Sequence, residues 1–194
     1  MNTRIAVAVF VALLTHSAAA CSIVGFRFFE PNPNSFEPKY DEKDESPVLM
    51  PAPVAKILSV QRGTTAAGDA CTDFGLLDVE LEWPTDSGYT LDEVGFYFRV
   101  ASGAEGDPIF PDRPVIGTLE RNRLLFTWLD GHPSTQQTLR LRVEVFAVNA
   151  GLQIGPSTYF DLKVSPGEHR GPRRTVRDTV ARHIGQRAAA EQRR

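Results

Sequence analysis

Hydrophobic and polar residues alternate with a period of two through much of the stretch from residue 53 to residue 165. In Leu77–Trp83 every second residue is apolar and the residues between are acidic, and Leu139–Ala147 alternates in the same way. This period is typical of a strand with one buried face. The pattern predicts seven strands: Val54–Arg62, Leu77–Trp83, Val94–Val100, Val115–Leu119, Leu124–Leu129, Leu139–Ala147 and Ser157–Val164.

Turn-forming residues separate these strands, and none of the connections has the 3.6-residue period of a helix. Examples are Asp86-Ser87-Gly88, Asp130-Gly131-His132-Pro133 and Gly155-Pro156. Glycine, proline and aspartate favour turns because of their backbone preferences and local hydrogen bonds. The sequence therefore predicts an all-β fold, an antiparallel seven-stranded β-sandwich.

Two stretches resemble a known family. Leu81-Glu82-Trp83-Pro84, followed by Val94-Gly95-Phe96-Tyr97-Phe98, is similar to the second and third strands of a fibronectin type III domain. The passage from Leu129-Asp130-Gly131-His132-Pro133 into the apolar positions of Leu141–Asn149 resembles the fifth and sixth strands of that family. The resemblance covers residues 53–165 and implies an immunoglobulin-like sandwich.

The first twenty residues have the pattern of an export signal. Arg4 precedes the apolar run Ile5–Leu14, and Ala18-Ala19-Ala20 supplies small residues for a cleavage site. A transmembrane helix needs about 20 apolar residues, so this run is too short to span a bilayer, and no second run follows it. We expect an exported protein, periplasmic or extracellular, without a transmembrane span.

The two cysteines of the chain allow two interpretations. Cys21 follows the small residues directly, and Cys71 is the only other cysteine. In an oxidising compartment the two would form a disulfide. Alternatively, Ala18-Ala19-Ala20-Cys21 resembles a weak bacterial lipoprotein box, in which Cys21 would carry lipid.

Residues 21–52 are rich in proline and acidic residues. The second half, with the acidic run Asp41-Glu42-Lys43-Asp44-Glu45, predicts an extended, solvated linker. The first half has too many large apolar groups to leave in water, among them Phe26, Phe28 and Phe29. These residues either dock on the following domain or form an exposed recognition segment.

The C-terminal residues 166–194 are basic, with a net charge of +5 against −6 for residues 53–165. Val176, Val180, Ile184 and Ala188 recur every fourth residue and predict a short amphipathic helix over about residues 175–190. The tail is either a solvated extension or a site for an anionic envelope surface or an acidic partner. The candidate contact residues are Arg170, Arg173, Arg174, Arg177, Arg182 and Arg187.

One face of the predicted sandwich is a candidate partner surface. If the odd positions of Leu139–Ala147 point inward, then Phe146 and Val148 point outward. Tyr97 and Tyr159 would share that surface if the family topology holds. Outward aromatic residues mark either a partner surface or a patch covered by another segment of the chain, such as residues 22–36 or the tail.

The sequence offers no candidate catalytic residue, metal ligand or cofactor site. The histidines after the signal segment lack metal-ligand spacing, and no nucleophile elbow or phosphate-binding loop is present. The overall charge of −3 gives no reason to expect nucleic acid as a partner. We therefore expect a non-enzymatic exported module that acts in or beyond the cell envelope, where it either binds a protein or glycan or has a structural role as a spacer between other parts. The alternative is an envelope lipoprotein accessory subunit, held through Cys21 on an extended stalk of residues 22–52.

Overall fold

A computed structural model describes residues 25–64, 73–104, 108–118, 120 and 122–171. Nine strands lie within these ranges, together with one 3-10 turn at Pro33–Ser35. The strands are β1 (Phe26–Phe28), β2 (Val54–Gln61), β3 (Phe74–Glu82), β4 (Val94–Ala104), β5 (Val115–Gly117), β6 (Arg123–Leu129), β7 (Leu139–Asn149), β8 (Thr158–Val164) and β9 (His169–Arg170).

The strands form two antiparallel sheets. The five-stranded sheet has the order β1-β5-β4-β7-β8, and the four-stranded sheet has the order β6-β3-β2-β9. Their inward faces contribute to one hydrophobic core, which is typical of two-layer all-β architectures. The predicted all-β, antiparallel fold is confirmed.

Each of the seven predicted stretches contains a strand, but the count of seven is too low for the described residues. The sequence missed β1 and β9, which are only three and two residues long. Such short strands cannot display a period of two, and they exist because β5 and β2 offer free edges beside them. β3 also begins at Phe74, three residues before its predicted start.

The core is built from the alternating positions that the sequence identified. β3 contributes Leu77, Val79 and Leu81, which have no exposed surface, and Phe96 of β4 is equally buried. Gly75 gives space to the Trp128 side chain on the neighbouring strand, because a Cβ atom at residue 75 would lie 2.1 Å from the indole ring. A larger residue at position 75 would therefore displace Trp128 from the core.

Residues 25–53, which we name the strap, lie against the two sheets instead of forming the predicted extended linker. Its second half is an irregular hairpin: Tyr40 pairs with Pro47, and Val48 donates a backbone hydrogen bond to Lys39 of 2.9 Å. The acidic run forms the turn of this hairpin, where the Asp41 carboxylate accepts a hydrogen bond from the Lys43 backbone N–H at 2.8 Å.

A lysine and a valine attach the hairpin to the domain. The Lys39 ammonium lies 2.7 Å from a Glu93 carboxylate oxygen and donates a 2.8 Å hydrogen bond to the Gly88 carbonyl. Val48 packs directly over Gly88, where a Cβ atom would be 2.5 Å from the valine methyl. The composition of this segment predicted an extended, solvated linker. The contacts of Lys39 and Val48 instead hold it against the domain, while its acidic run is exposed as predicted.

Two phenylalanines attach the first half of the strap. Phe26 packs against Phe126 in the main core, with ring centroids 5.5 Å apart. Phe29 is buried on the outer face of the five-stranded sheet, where it fills the space over Gly95. Of the two arrangements that the sequence allowed, the structure has the docked one.

Candidate interaction face

The outer face of the five-stranded sheet carries the aromatic residues that the sequence singled out. The strand register places Tyr97 of β4 opposite Phe146 of β7, and Glu144 of β7 between Arg99 of β4 and Tyr159 of β8. Alternation along each strand sends these side chains away from the core, because their neighbours in sequence point into it. Three of the four predicted residues thus share the outer surface of this sheet, which we name the aromatic face: Tyr97, Arg99, Arg142, Glu144, Phe146 and Tyr159. The two arginines and Tyr159 are exposed, Tyr97 and Phe146 are half-buried, and Glu144 is buried.

Ring stacking and cation–π contacts order the aromatic face. Tyr97 and Phe146 stack with ring centroids 5.2 Å apart and planes at 24°. The Arg99 guanidinium lies 5.6 Å from the Phe146 ring, and the Arg142 guanidinium lies 5.0 Å from the Tyr159 ring. Such contacts hold long side chains in defined positions, which reduces the entropy that a partner must overcome on binding.

Glu144 connects the two halves of this surface. Its carboxylate accepts hydrogen bonds from Arg99 Nε at 2.9 Å and from the Tyr159 hydroxyl at 3.2 Å. The Arg99 guanidinium, with smaller contributions from hydrogen bonds of Ser157 and Tyr159, lowers the pKa of Glu144 below its ordinary value. Glu144 therefore stays ionised at neutral pH and fixes the orientation of Arg99 and Tyr159.

Val148, the fourth predicted residue, does not contribute to an accessible surface. It is 2% exposed and packs with Phe29 and Ile116 in a small second cluster on the outer side of the sheet. The strap supplies the covering residue, so one part of the predicted surface is covered by the chain itself. The sequence had left this alternative open, and only the Phe29 contact decides it.

Of the predicted contact residues in the tail, Arg170 lies within the described residues and the other five lie outside them. Arg170 belongs to β9, where it pairs with Val60 of β2, and its Nε atom donates a 2.5 Å hydrogen bond to Glu168. The first part of the predicted tail is therefore a strand of the four-stranded sheet. Arg173, Arg174, Arg177, Arg182 and Arg187 lie outside the described residues, as do Cys21, Cys71 and the predicted export signal.

Glu168 should make the attachment of β9 sensitive to acid. Hydrogen bonds from Arg170 and from the Ser165 backbone N–H lower the pKa of Glu168 to about 2. Because this pKa is lower in the folded state, the stabilisation is complete above the ordinary value of 4.5 and is lost as the pH falls through about 2. In an NMR titration, the amide signals of Val60 and Arg170 should shift with a midpoint near pH 2. The Glu168→Gln variant should lack that transition, and a midpoint near 4.5 in the parent would contradict the ion pair.

The sequence did not reveal a buried ion pair between Arg62 and Asp130. This pair lies at the end of the domain where β2 and β6 finish. Arg62 Nε donates to both carboxylate oxygens of Asp130 at 2.9 and 2.7 Å, and both side chains are only 4% exposed. The carboxylate also accepts hydrogen bonds from the Gly63 backbone at 2.7 Å and from the Trp128 indole at 3.0 Å. The sequence showed Arg62 as a strand end and Asp130 as a turn residue, but their separation of 68 positions concealed the pair.

The described residues contain no group of three His, Cys, Asp or Glu side chains close enough to hold a metal ion. His132, the turn histidine, is exposed, and its Nδ1 lies 2.7 Å from the Ser134 hydroxyl.

Within the described ranges, no helix has the length and apolar character needed to cross a membrane.

Comparison with models of known protein families, with curated proteins and with solved structures finds no match to this chain.

Proposed function

We propose that this chain is an exported, non-enzymatic module of the fibronectin type III-like kind that binds a protein or glycan through its aromatic face. The observation that carries the proposal is the ordered array of two arginines, two tyrosines and a phenylalanine on the outer surface of one sheet. Arginine and aromatic residues dominate the binding energy of protein interfaces. Surfaces held in place before binding also lose less entropy when a partner arrives.

The strand arrangement supports the family assignment. Apart from the short edge strands β1 and β9, the two sheets contain four and three strands, the division found in immunoglobulin-like sandwiches. Trp83, one of the residues on which the resemblance rests, packs edge-on against Phe96 with ring centroids 5.5 Å apart. Its indole N–H donates a 2.8 Å hydrogen bond to the Tyr89 carbonyl.

Export is supported by the sequence signal of Arg4, Ile5–Leu14 and Ala18-Ala19-Ala20. The state of Cys21 separates the soluble module from the lipoprotein alternative. Cys21 is four residues before Gly25, so an extended chain would reach at most about 14 Å from the first described residue. Because the strap lies against the sheets, a lipid on Cys21 would hold the domain at the membrane surface instead of on a long stalk.

The intact mass of the mature protein from its own host tests this choice. A chain beginning at Cys21 whose mass rises by about two protons on reduction indicates the Cys21–Cys71 disulfide, as expected for oxidised cysteines in an exported protein. A mass that includes acyl chains indicates the lipoprotein and contradicts the soluble form.

The binding role is tested by substitution on the aromatic face. The double variant Arg142→Ala, Tyr159→Ala should lower binding by about tenfold or more, because truncation of central arginine and tyrosine residues has effects of this size. The measurement is the retention of the chain on a glycan array and on crosslinked envelope proteins. The matched control, Lys56→Ala with Leu129→Ala, removes a cation and an exposed apolar group from the other sheet. Equal losses in the two variants would contradict a specific role for the aromatic face.

A further inference from the structure

A second exposed surface lies at the end of the domain where the strap hairpin and the turn after β7 meet. Three large apolar side chains project there into solvent: Leu49 is 81% exposed, Ile154 is 68% exposed and Leu152 is 58% exposed. We name these three residues the apolar tip. Leu49 and Ile154 each precede a residue of one contact, since a Cβ atom at Gly155 would lie 3.1 Å from the Met50 side chain, and Leu152 belongs to the same turn as Ile154.

The turn that presents Leu152 and Ile154 is rigidly held. Asn149, which has no exposed surface, accepts hydrogen bonds through its side-chain oxygen from the Gly151 and Gln153 backbones, each at 3.0 Å. Its side-chain nitrogen donates a 2.7 Å hydrogen bond to the Gln153 side chain. Leu152 adopts φ 63°, a left-handed conformation that leucine rarely occupies. Two bulky residues are thus displayed in fixed positions.

The stretch of the strap that leads to this tip, residues 37–45, carries an excess of negative charge, and we name it the acidic border. Phe36 packs on Gly151 of the same turn, and exposed acidic side chains follow it along the strap. They are Glu37, Asp41, Glu42, Asp44 and Glu45. Only Lys39 and Lys43 offset them in this stretch, and Lys39 is already paired with Glu93. The occupant that fits an apolar tip with an acidic border is a segment with an apolar stripe and positive flanks.

The chain itself contains such a segment. Residues 172–194 include seven arginines and two acidic residues, and Val176, Val180 and Ile184 form the apolar stripe predicted by the sequence. The described chain ends at Gly171, which lies beside Ser59 of β2. From Ser59 the path along β2 to Pro51, next to the tip, spans eight residues, or about 26 Å. Three extended residues followed by a 16-residue helix would cover about 34 Å, so the tail is long enough.

We propose that the basic tail, residues 172–194, docks on the apolar tip of the same molecule. Docking would cover the three exposed apolar side chains and place the arginines near the acidic strap. The occupant is the tail of the same chain because its origin beside β2 makes its local concentration high. The interaction depends partly on charge, so salt weakens it.

Hydrogen exchange of the full mature chain tests the proposal. At 20 mM NaCl the amides of residues 176–188 should exchange about tenfold more slowly than at 500 mM NaCl, because screening weakens the charged contacts. The double variant Leu152→Ser, Ile154→Ser should remove this difference. The matched control Leu129→Ser, a residue that is 59% exposed at the other end of the domain, should preserve it.

A charge variant tests the acidic border separately. The triple variant replaces three exposed glutamates and leaves the Asp41 and Asp44 hydrogen bonds of the hairpin intact: Glu37→Gln, Glu42→Gln and Glu45→Gln. This variant should reduce the protection of the tail amides from exchange at low salt. The proposal would be overturned if the tail amides stay protected in the Leu152→Ser, Ile154→Ser variant. It would also be overturned if these amides are not protected in the parent at 20 mM NaCl. Protection that increases with protein concentration would assign the tail to a second copy and overturn docking within one molecule.

Discussion

Asp130→Ala should lower the free energy of unfolding by about 3–5 kcal/mol, the usual result of leaving one member of a buried ion pair without its partner. The Arg62 guanidinium would remain buried at 4% exposure with no opposite charge, and the Gly63 N–H and Trp128 indole would lose their acceptor. For a domain of this size, the melting temperature should fall by about 10 °C. Urea unfolding monitored by tryptophan fluorescence measures the change.

Two further variants define how Asp130 acts. Glu30→Ala removes an ion pair with Arg113 whose side chains are 74% and 48% exposed, so it should cost less than about 1 kcal/mol. Asp130→Asn preserves the size and one acceptor oxygen, and its effect should fall between the two. If Asp130→Ala is no more destabilising than Glu30→Ala, the buried pair does not stabilise this end of the domain.

Phe29→Ala should lower the free energy of unfolding by about 3 kcal/mol, the lower end of the range for a buried phenylalanine. The loss falls at the lower end because Phe29 packs in a cluster with only two other buried residues, Ile116 and Val148. The variant should also bind a hydrophobic dye more strongly, since both of those side chains become accessible. Urea unfolding and dye fluorescence provide the two measurements.

The neighbouring residue supplies the control for Phe29. Phe28 is 42% exposed and its ring lies 4.4 Å from the Arg113 guanidinium, so Phe28→Ala should cost about 1 kcal/mol or less. Equal effects of Phe28→Ala and Phe29→Ala would show that the strap does not depend on Phe29 for its position.

The candidate surface was only partly predictable from sequence. Tyr97, Phe146 and Tyr159 were placed correctly on one face because their direction follows from the alternation within a strand. The burial of Val148 could not be predicted, because it depends on Phe29 reaching across Gly95 from a segment more than a hundred residues earlier. The apolar tip was missed for a similar reason, since Leu49 and Ile154 are brought together only by the folded strap.

What the sequence determined by itself is the set of long strands and the antiparallel all-β class. Each of those strands is encoded by the alternation of its own residues, and each connection by its own turn residues. The tertiary structure alone decided the edge strands β1 and β9, the docking of the strap and the Arg62–Asp130 pair. These features join residues far apart in the chain, and their stability comes from burial and from hydrogen bonds that exist only after the sheets have packed together.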